Sequence, residues 1–286
     1  MTSATVSLGV AGSLGPALIA RIAGSAERAG FHALWVNDTP DGDALAALAA
    51  AAAVTERLVL ATGVVPLDRR APSEISDAVS RIDAPDSRIR IGLGSGAART
   101  GQLALVRDGV RRIRDRQAVG LVVGALGPRM RALAAREADG PLLSWLPPAV
   151  AAEQSRDAHD LAPAARVCLY VRAAVDAAGI ERMREEAARY ATYPNYAANF
   201  ARLGVGVEST VLPAPGDDGI AAGLVPYLGA VDEVVLRAIP ADDSPDAYAR
   251  FIDAAAAAIT AARDTAEQDA AARDTAARDA AEQAGA

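Results

Sequence analysis

Short runs of Val, Leu and Ile alternate with longer Ala- and Arg-rich stretches from one end of the chain to the other. The short runs predict strands at Val6 to Val10, Ala33 to Val36, Leu58 to Gly63 and Ile89 to Leu93. They continue at Val119 to Val123, Leu142 to Trp145, Val167 to Val171 and Glu233 to Arg237. Several are unbroken apolar runs, which suits a sheet covered on both faces. The stretches between them carry helix punctuation. Pro16 opens the first and Gly30 stops it. Asp43 puts an acid at the start of the second, which runs to Val54. Later helices are expected from Pro72, Thr100, Pro128, Pro148 and Pro245, with one or two more between Gly179 and Leu203.

Strands that each lead into a helix pair in parallel, because the helix is the crossover. Eight such units predict an α/β fold, a closed (β/α)8 TIM barrel. A doubly wound open sheet is the alternative. Val205 to Gly229 is rich in Gly and Pro and reads as a loop with a short helix. Beyond it the last strand and helix reach Ala262. ARDTAEQDAA is then followed by ARDTAARDAA, a near-repeat with no large apolar residue. Such a segment cannot bury a core face, although Ala, Arg, Glu and Gln form helix readily. The chain thus divides into a barrel over residues 1–262 and a low-complexity tail, helical or disordered, over residues 263–286.

Composition narrows the chemistry. Lys is absent, so all 29 basic residues are Arg, which excludes a lysine Schiff base and a lysine-bearing phosphate loop. The net charge of -7 gives no case for nucleic acid. One cysteine, Cys168, excludes an internal disulfide, and with only His32 and His159 a histidine metal site is not expected. The longest apolar run, Ala44 to Val54, falls short of the roughly 20 residues that span a bilayer, and Met1 to Val10 has no secretory pattern. A cytoplasmic protein without membrane contact is the expectation.

In a barrel, chemistry sits in the loops that follow the strands. These hold Gly9 to Gly12, Asn37 to Thr39, Thr62 to Val65, Gly94 to Gly96, Gly124 to Gly127, Ser144 with Trp145, Arg172 and Arg237. Glycine dominates, and bare backbone lets a ligand come close. Asp38 is the carboxylate of the set, and no His, Cys or Lys accompanies it. A nucleophile with its base is therefore unavailable, and an organic cofactor must supply any hard chemistry. Gly124-Ala125-Leu126-Gly127-Pro128-Arg129 opens a helix. Its free N–H groups, the helix dipole and Arg129 make a site for an anion such as phosphate; a plain turn with Arg129 in solvent is the other reading. Gly92-Leu93-Gly94-Ser95-Gly96-Ala97 fits a dinucleotide-binding pattern but lies in the fourth unit, and so reads better as a barrel loop shaped for a ligand. His32, His159 and Cys168 read as structural, and Tyr190, Tyr193 and Tyr196 as helix packing.

Six segments in this order carry a resemblance: AERAGFHALWVND from Ala26, RLVLATGVVPLDRRAP from Arg57, RIRIGLGSG from Arg88, VGALGPRMRALAAREADG from Val123, YPNYAANFARLG from Tyr193 and DEVVLRAIP from Asp232. Over Thr5 to Ala262 the chain resembles the bacterial-luciferase-like monooxygenase superfamily, including its deazaflavin-dependent oxidoreductases. The resemblance implies coenzyme F420 or FMN across the top of the barrel, a small organic substrate, and a homodimer built on helix faces. The Ala- and Arg-rich, Lys-free composition, that of GC-rich coding, puts F420 first. The cofactor set carried over is Asp38, Thr39, Thr62, Gly63, Val64, Ser95, Gly124, Ala125, Leu126, Gly127 and Arg129. Gly63–Val64 matches a cis peptide under the ring, and the loop from Gly124 to Gly127 matches the phosphate loop. Asp38 matches the acid that precedes a catalytic His in the family, but Thr39 stands in place of that His. The family's long insertion after the fourth strand is also missing, since Gly96 to Val119 leaves room for one helix. Two readings follow: an F420- or FMN-dependent oxidoreductase or monooxygenase, and a non-catalytic flavin-binding relative.

Overall fold

The computed structural model describes residues 3–214, 216–217 and 219–284. Its strands are β1 (Thr5–Ala11), β2 (Ala33–Asn37), β3 (Val59–Pro66), β4 (Ile89–Gly94), β5 (Gly120–Gly124), β6 (Pro141–Ser144), β7 (Cys168–Ala173), β8 (Val211–Leu212) and β9 (Glu233–Ala238). All pair in parallel, in the order β6-β5-β4-β3-β2-β1-β9-β7, and a β6–β7 pairing closes the ring. The fold is a closed eight-stranded barrel. The two-residue β8 is an addition that the Gly- and Pro-rich segment concealed. It pairs with Arg172 and Ala173 of β7, above the point where β6 stops at Ser144.

The helices are α1 (Gly15–Arg28), α2 (Ala44–Ala52), α3 (Pro72–Val79), α4 (Gln102–Arg114), α5 (Pro128–Glu137), α6 (Pro148–Leu161), α7 (Ala177–Thr192), α8 (Pro194–Leu203), α9 (Ile220–Leu228) and α10 (Pro245–Ala284). Local chemistry sets their ends. Asp43 caps α2 by accepting from the Ala46 N–H at 3.0 Å, and Asp176 caps α7 by accepting from Gly179 at 2.8 Å. Proline stands in the first turn of α1, α3, α5, α6 and α8, where its missing N–H costs nothing. Gly204, at φ 66°, ends α8 in the left-handed conformation. The near-repeat continues α10 as helix, and Ala262 is the last buried side chain among those described.

Strand periodicity sorts side chains between two cores. Leu8, Leu34, Leu60, Ile91, Leu121, Leu143, Leu169 and Leu236 point outward, one from each barrel strand, and are fully buried under the helices. Inside the barrel lie Ala33, Trp35, Ala61, Val122, Leu142, Cys168, Tyr170 and Val235. The floor of this interior is built on one carboxylate, Glu233, which is 0% exposed. Its Oε1 accepts from Ser7 Oγ at 2.6 Å and Trp35 Nε1 at 2.7 Å. Its Oε2 accepts from Arg90 at 2.8 Å and Arg166 at 3.0 Å, with Cys168 Sγ at 3.7 Å. Burial pushes the Glu233 pKa up, but Arg90, Ser7, Arg166 and Trp35 outweigh it and hold the group below its ordinary value of 4.5. His32 lies beside Arg166 at 3.4 Å, and its pKa is lowered, by burial first.

Removing one partner of a buried ion pair strands the others, at about 3–5 kcal/mol. Glu233→Ala is therefore expected to lower the unfolding free energy by about 3–5 kcal/mol in a urea titration at neutral pH. The depressed pKa gives the pH dependence its sign. The stabilisation is present above the unfolded-state pKa and is lost as pH falls through the folded-state value. The acid-side fall in stability should be steeper in the native chain than in Glu233→Gln, and equal slopes would contradict this assignment.

Candidate functional site

The C-terminal ends of the strands are organised around an irregularity in β3. Thr62 pairs with Ile91 and Val65 with Leu93, so three steps on β3 face two on β4, and the surplus residue forms a bulge. The Gly63–Val64 peptide within it is cis. Thr62 repairs the ladder from its side chain: its Oγ1 accepts from Gly92 N–H at 3.0 Å and donates to Gly92 O at 3.2 Å. Asn37, the last residue of β2, donates to Gly63 O.

Glycines around the bulge make room for side chains of the protein itself. A Cβ on Gly9 or Gly63 would lie 2.7 Å and 2.5 Å from the Tyr170 side chain. A Cβ on Gly94 or Gly124 would lie 2.6 Å and 3.0 Å from the Val64 methyls, and one on Gly92 would strike Thr62 O at 2.2 Å. At Gly9, Gly63, Gly92, Gly94 and Gly124 the space that a Cβ would take is held by Tyr170, Val64 and Thr62. Gly127 differs. A Cβ there would meet nothing within 4 Å.

Gly127 is the N-cap of α5, at φ -90°, and its side supplies no capping group. Among the described residues, nothing accepts from the N–H groups of Leu126, Gly127 or Arg129. Two guanidiniums converge on the same turn. Arg131 Nη1 donates to Leu126 O at 3.1 Å, and Arg202 Nη2, arriving from α8, donates to the same oxygen at 3.0 Å. Burial and the neighbouring charge of Arg202 lower the Arg131 pKa. Unpaired N–H groups, a helix N-terminus and two guanidiniums are chemistry suited to an anion, with the Asp157 carboxylate 4.0 Å from Arg131. Arg129, the arginine expected here, is exposed; the two that reach the turn, Arg131 and Arg202, were missed. The four-residue spacing from Gly127 to Arg131 was a signal for the first. Nothing local signalled Arg202, which comes from another helix.

The α7–α8 hairpin covers the mouth beside β6 and β7. Trp145 adopts φ 59°, a left-handed conformation that a bulky residue rarely takes, and is wholly buried. Arg172 stacks on its ring at 3.8 Å and faces Tyr190 at 5.0 Å. Tyr190 packs in turn on Tyr193 and Tyr196, with ring centroids at 5.2 Å and 5.0 Å. Arg172 also donates to Ser144 Oγ at 2.6 Å and to Glu186 at 3.2 Å. Among the described residues, the buried side-chain atoms left without a partner are Asn37 Oδ1, Thr39 Oγ1, Trp145 Nε1 and Tyr170 OH. All belong to residues at or near the upper strand ends, the end at which barrel enzymes work.

Residues 2–104 match the family of luciferase-like monooxygenases. The luciferase-like resemblance read from the motifs therefore stands, and solved structures extend it as a likeness of fold across the chain. An F420-dependent secondary alcohol dehydrogenase bound to an F420-acetone adduct superposes with a TM-score of 0.69 at 16% identity, covering 92% of this chain and 99% of that one. The monooxygenase RslO1 from Streptomyces bottropensis gives 0.65 at 17% identity, covering 90% and 98%. EDTA monooxygenase from Chelativorans sp. BNC1 gives 0.67 at 11%, covering 90% and 93%. No curated protein matches the chain.

In this barrel the expected cofactor residues lie around the mouth, but several are already engaged. The Asp38 carboxylate accepts from Ala44 N–H at 3.1 Å and Arg69 at 3.0 Å, with Arg70 at 3.8 Å. It ties the loop after β2 to the loop after β3. Thr62 is spent on Gly92, while Thr39 keeps an unpaired hydroxyl. Ser95 lies in the loop after β4, where Asp68 accepts from Ala97 N–H at 2.8 Å. Among the described residues no group of three metal-ligating side chains occurs, and no helix is long and apolar enough to cross a membrane.

Gly127→Val should leave the fold intact, since φ -90° suits valine and the space is open, yet block a phosphate-bearing ligand. Arg131→Ala should weaken the same ligand by about ten- to a hundred-fold, the loss expected for a charged hydrogen bond. Thermal melts and fluorescence titration with FMN check both. Unchanged binding in both variants would remove the anion assignment.

Proposed function

We propose that the protein is an oxidoreductase that holds coenzyme F420, or FMN as the alternative, at the C-terminal face of its barrel and acts on a small organic substrate. The observation that carries this reading is the turn at residues 124–127. Unpaired N–H groups, an open approach at Gly127, and Arg131 with Arg202 together fit the phosphate of either cofactor. Leu126, Gly127 and Arg129 would offer backbone donors, and Arg131 and Arg202 would offer charge. Toward the ring, Thr39 Oγ1 and Asn37 Oδ1 lack partners beside the bulge at Gly63–Val64. F420 would supply hydride transfer and reduced FMN oxygen chemistry; the protein's part is to bind, orient and exclude water. The luciferase-like family match over residues 2–104 and the fold shared with an F420-dependent alcohol dehydrogenase and two monooxygenases support the class.

A second reading, a non-catalytic cofactor binder, is favoured by one observation. Asp38 spends its oxygens on Arg69, Arg70 and Ala44, and Thr39 cannot relay a proton as an imidazole does. A homodimer belongs to the reading on resemblance alone. Large apolar side chains exposed among the described residues, Val54, Leu161 and Tyr193, stand singly and form no patch.

Titration of the purified chain with F420 and with FMN tests the proposal. Saturable binding of one of them, with a perturbed visible spectrum, is expected; no binding of either would overturn it. Bound F420 that no small alcohol reduces and that, once reduced with borohydride, no small aldehyde reoxidises would favour the binder. Light scattering over a wide concentration range reads the dimer.

A further inference from the structure

A second polar feature lies across the mouth from the phosphate turn. In the ring, β1 and β5 are separated by three strands on either side, so the ends of β1 and β9 lie opposite the end of β5. A cavity of about 210 Å³ opens there, between the end of β1, the end of β9 and one face of α7. That face presents Arg182, Glu185, Glu186 and Arg189, spaced at i, i+3, i+4 and i+7. Arg237 of β9 and Asp243 complete the charged lining.

The strand register sets an electrostatic problem. Arg172 and Arg237 are direct partners on the parallel strands β7 and β9, and so project side by side into the barrel mouth. Like charges in that relation repel. Glu186 is the carboxylate they share. It pairs with Arg172 at 3.2 Å, and it also feels Arg237, since the charges of Arg237 and Arg172 overcome the upward push of burial and lower its pKa. Arg182 is spent on Asp243 at 3.0 Å, and Glu185 and Arg189 are exposed and opposite in sign. The inner group of Arg172, Arg237 and Glu186 therefore carries one uncompensated positive charge. Among the described residues no carboxylate lies within 4.0 Å of Arg237. Its guanidinium donates to its neighbour's carbonyl, Ala238 O, and faces the Tyr248 hydroxyl, which also lines the cavity. Two guanidiniums that share one carboxylate are under-compensated, and a bound anion relieves that cost.

We propose that this cavity is the substrate's anion subsite, and that the substrate is a small organic monoanion whose carboxylate pairs with Arg237. The planar fork of a guanidinium suits a planar carboxylate, and the volume suits a chain of a few carbons rather than a cofactor. The inference rests on the proposed function for the word substrate, but its test does not involve the cofactor.

Butanoate and its neutral isostere butanamide serve as probes on the full chain without cofactor, by isothermal titration or ligand-detected NMR. Butanoate should bind and butanamide should not. Arg237→Gln should weaken butanoate at least about ten-fold, in the range of a lost charged hydrogen bond, while Arg81→Gln on the outer surface leaves it unchanged. Glu186→Gln adds one positive charge to the group and should tighten butanoate, a change that damage to the fold cannot imitate. Inorganic phosphate, expected at the α5 turn, should leave butanoate in place. Equal binding of acid and amide, an unaffected Arg237→Gln, weaker or unchanged binding by Glu186→Gln, or displacement by phosphate at matched concentration would each overturn the subsite. Butanoate binding that depends on Arg237 in a chain that takes neither F420 nor FMN would leave the subsite standing and remove the cofactor reading alone.

Discussion

The buried carboxylate of Glu233 holds the barrel together as a barrel. A ring of eight parallel strands encloses a space that must be filled, and no water can be relied on to solvate what fills it. Glu233 stands at the start of β9, where the ring closes onto β1. It gathers donors from β1, β2 and β4 and from Arg166 beside β7. An ionised group is tolerated there because nearly every lone pair is taken and two guanidiniums balance it. That floor ties β9 to β1, β2 and β4 beneath the strand ends.

The same interior is treated in the opposite way at its other end. Below, each polar atom of the Glu233 group has a partner. Above, Tyr170 OH, Asn37 Oδ1, Thr39 Oγ1 and Trp145 Nε1 have none, and Arg172 and Arg237 share one carboxylate. Native proteins leave few buried polar atoms unpaired, so their collection at one end of one barrel marks that end as made for something besides stability. The backbone repeats the division. Glycines of β1, β3 and β4 are filled from within by Tyr170, Val64 and Thr62, whereas Gly127 faces open space at the head of a helix.

How much of this was legible follows from range. Strands, helices and their order could be read because apolar runs, proline starts and aspartate caps act over a few residues. Asp43 and Pro128 stand where the chain punctuates itself, and the structure uses them so. The cis peptide at Gly63–Val64 was legible only through family resemblance; the bulge around it, a register of three against two with β4, depends on a partner thirty residues away in sequence, Thr62 to Gly92. Arg202 was illegible for the same reason, since it reaches Leu126 from a helix 76 residues on. Asp38 differs in kind. A lone carboxylate at a strand end reads as chemistry until Arg69 and Arg70, just beyond the next strand, are seen to claim it. Short-range signals made the elements legible, whereas the contacts that assemble the site are long-range.

The central claim is that the barrel mouth holds a phosphorylated redox cofactor by the turn at the start of α5. A crystal structure of the chain soaked with F420, or with FMN, tests it most directly. The account predicts phosphate density within hydrogen-bond distance of the Leu126, Gly127 and Arg129 N–H groups, with Arg131 and Arg202 turned toward it. Phosphate density elsewhere on the barrel, or a mouth that stays free of both cofactors at saturating concentration, would contradict it.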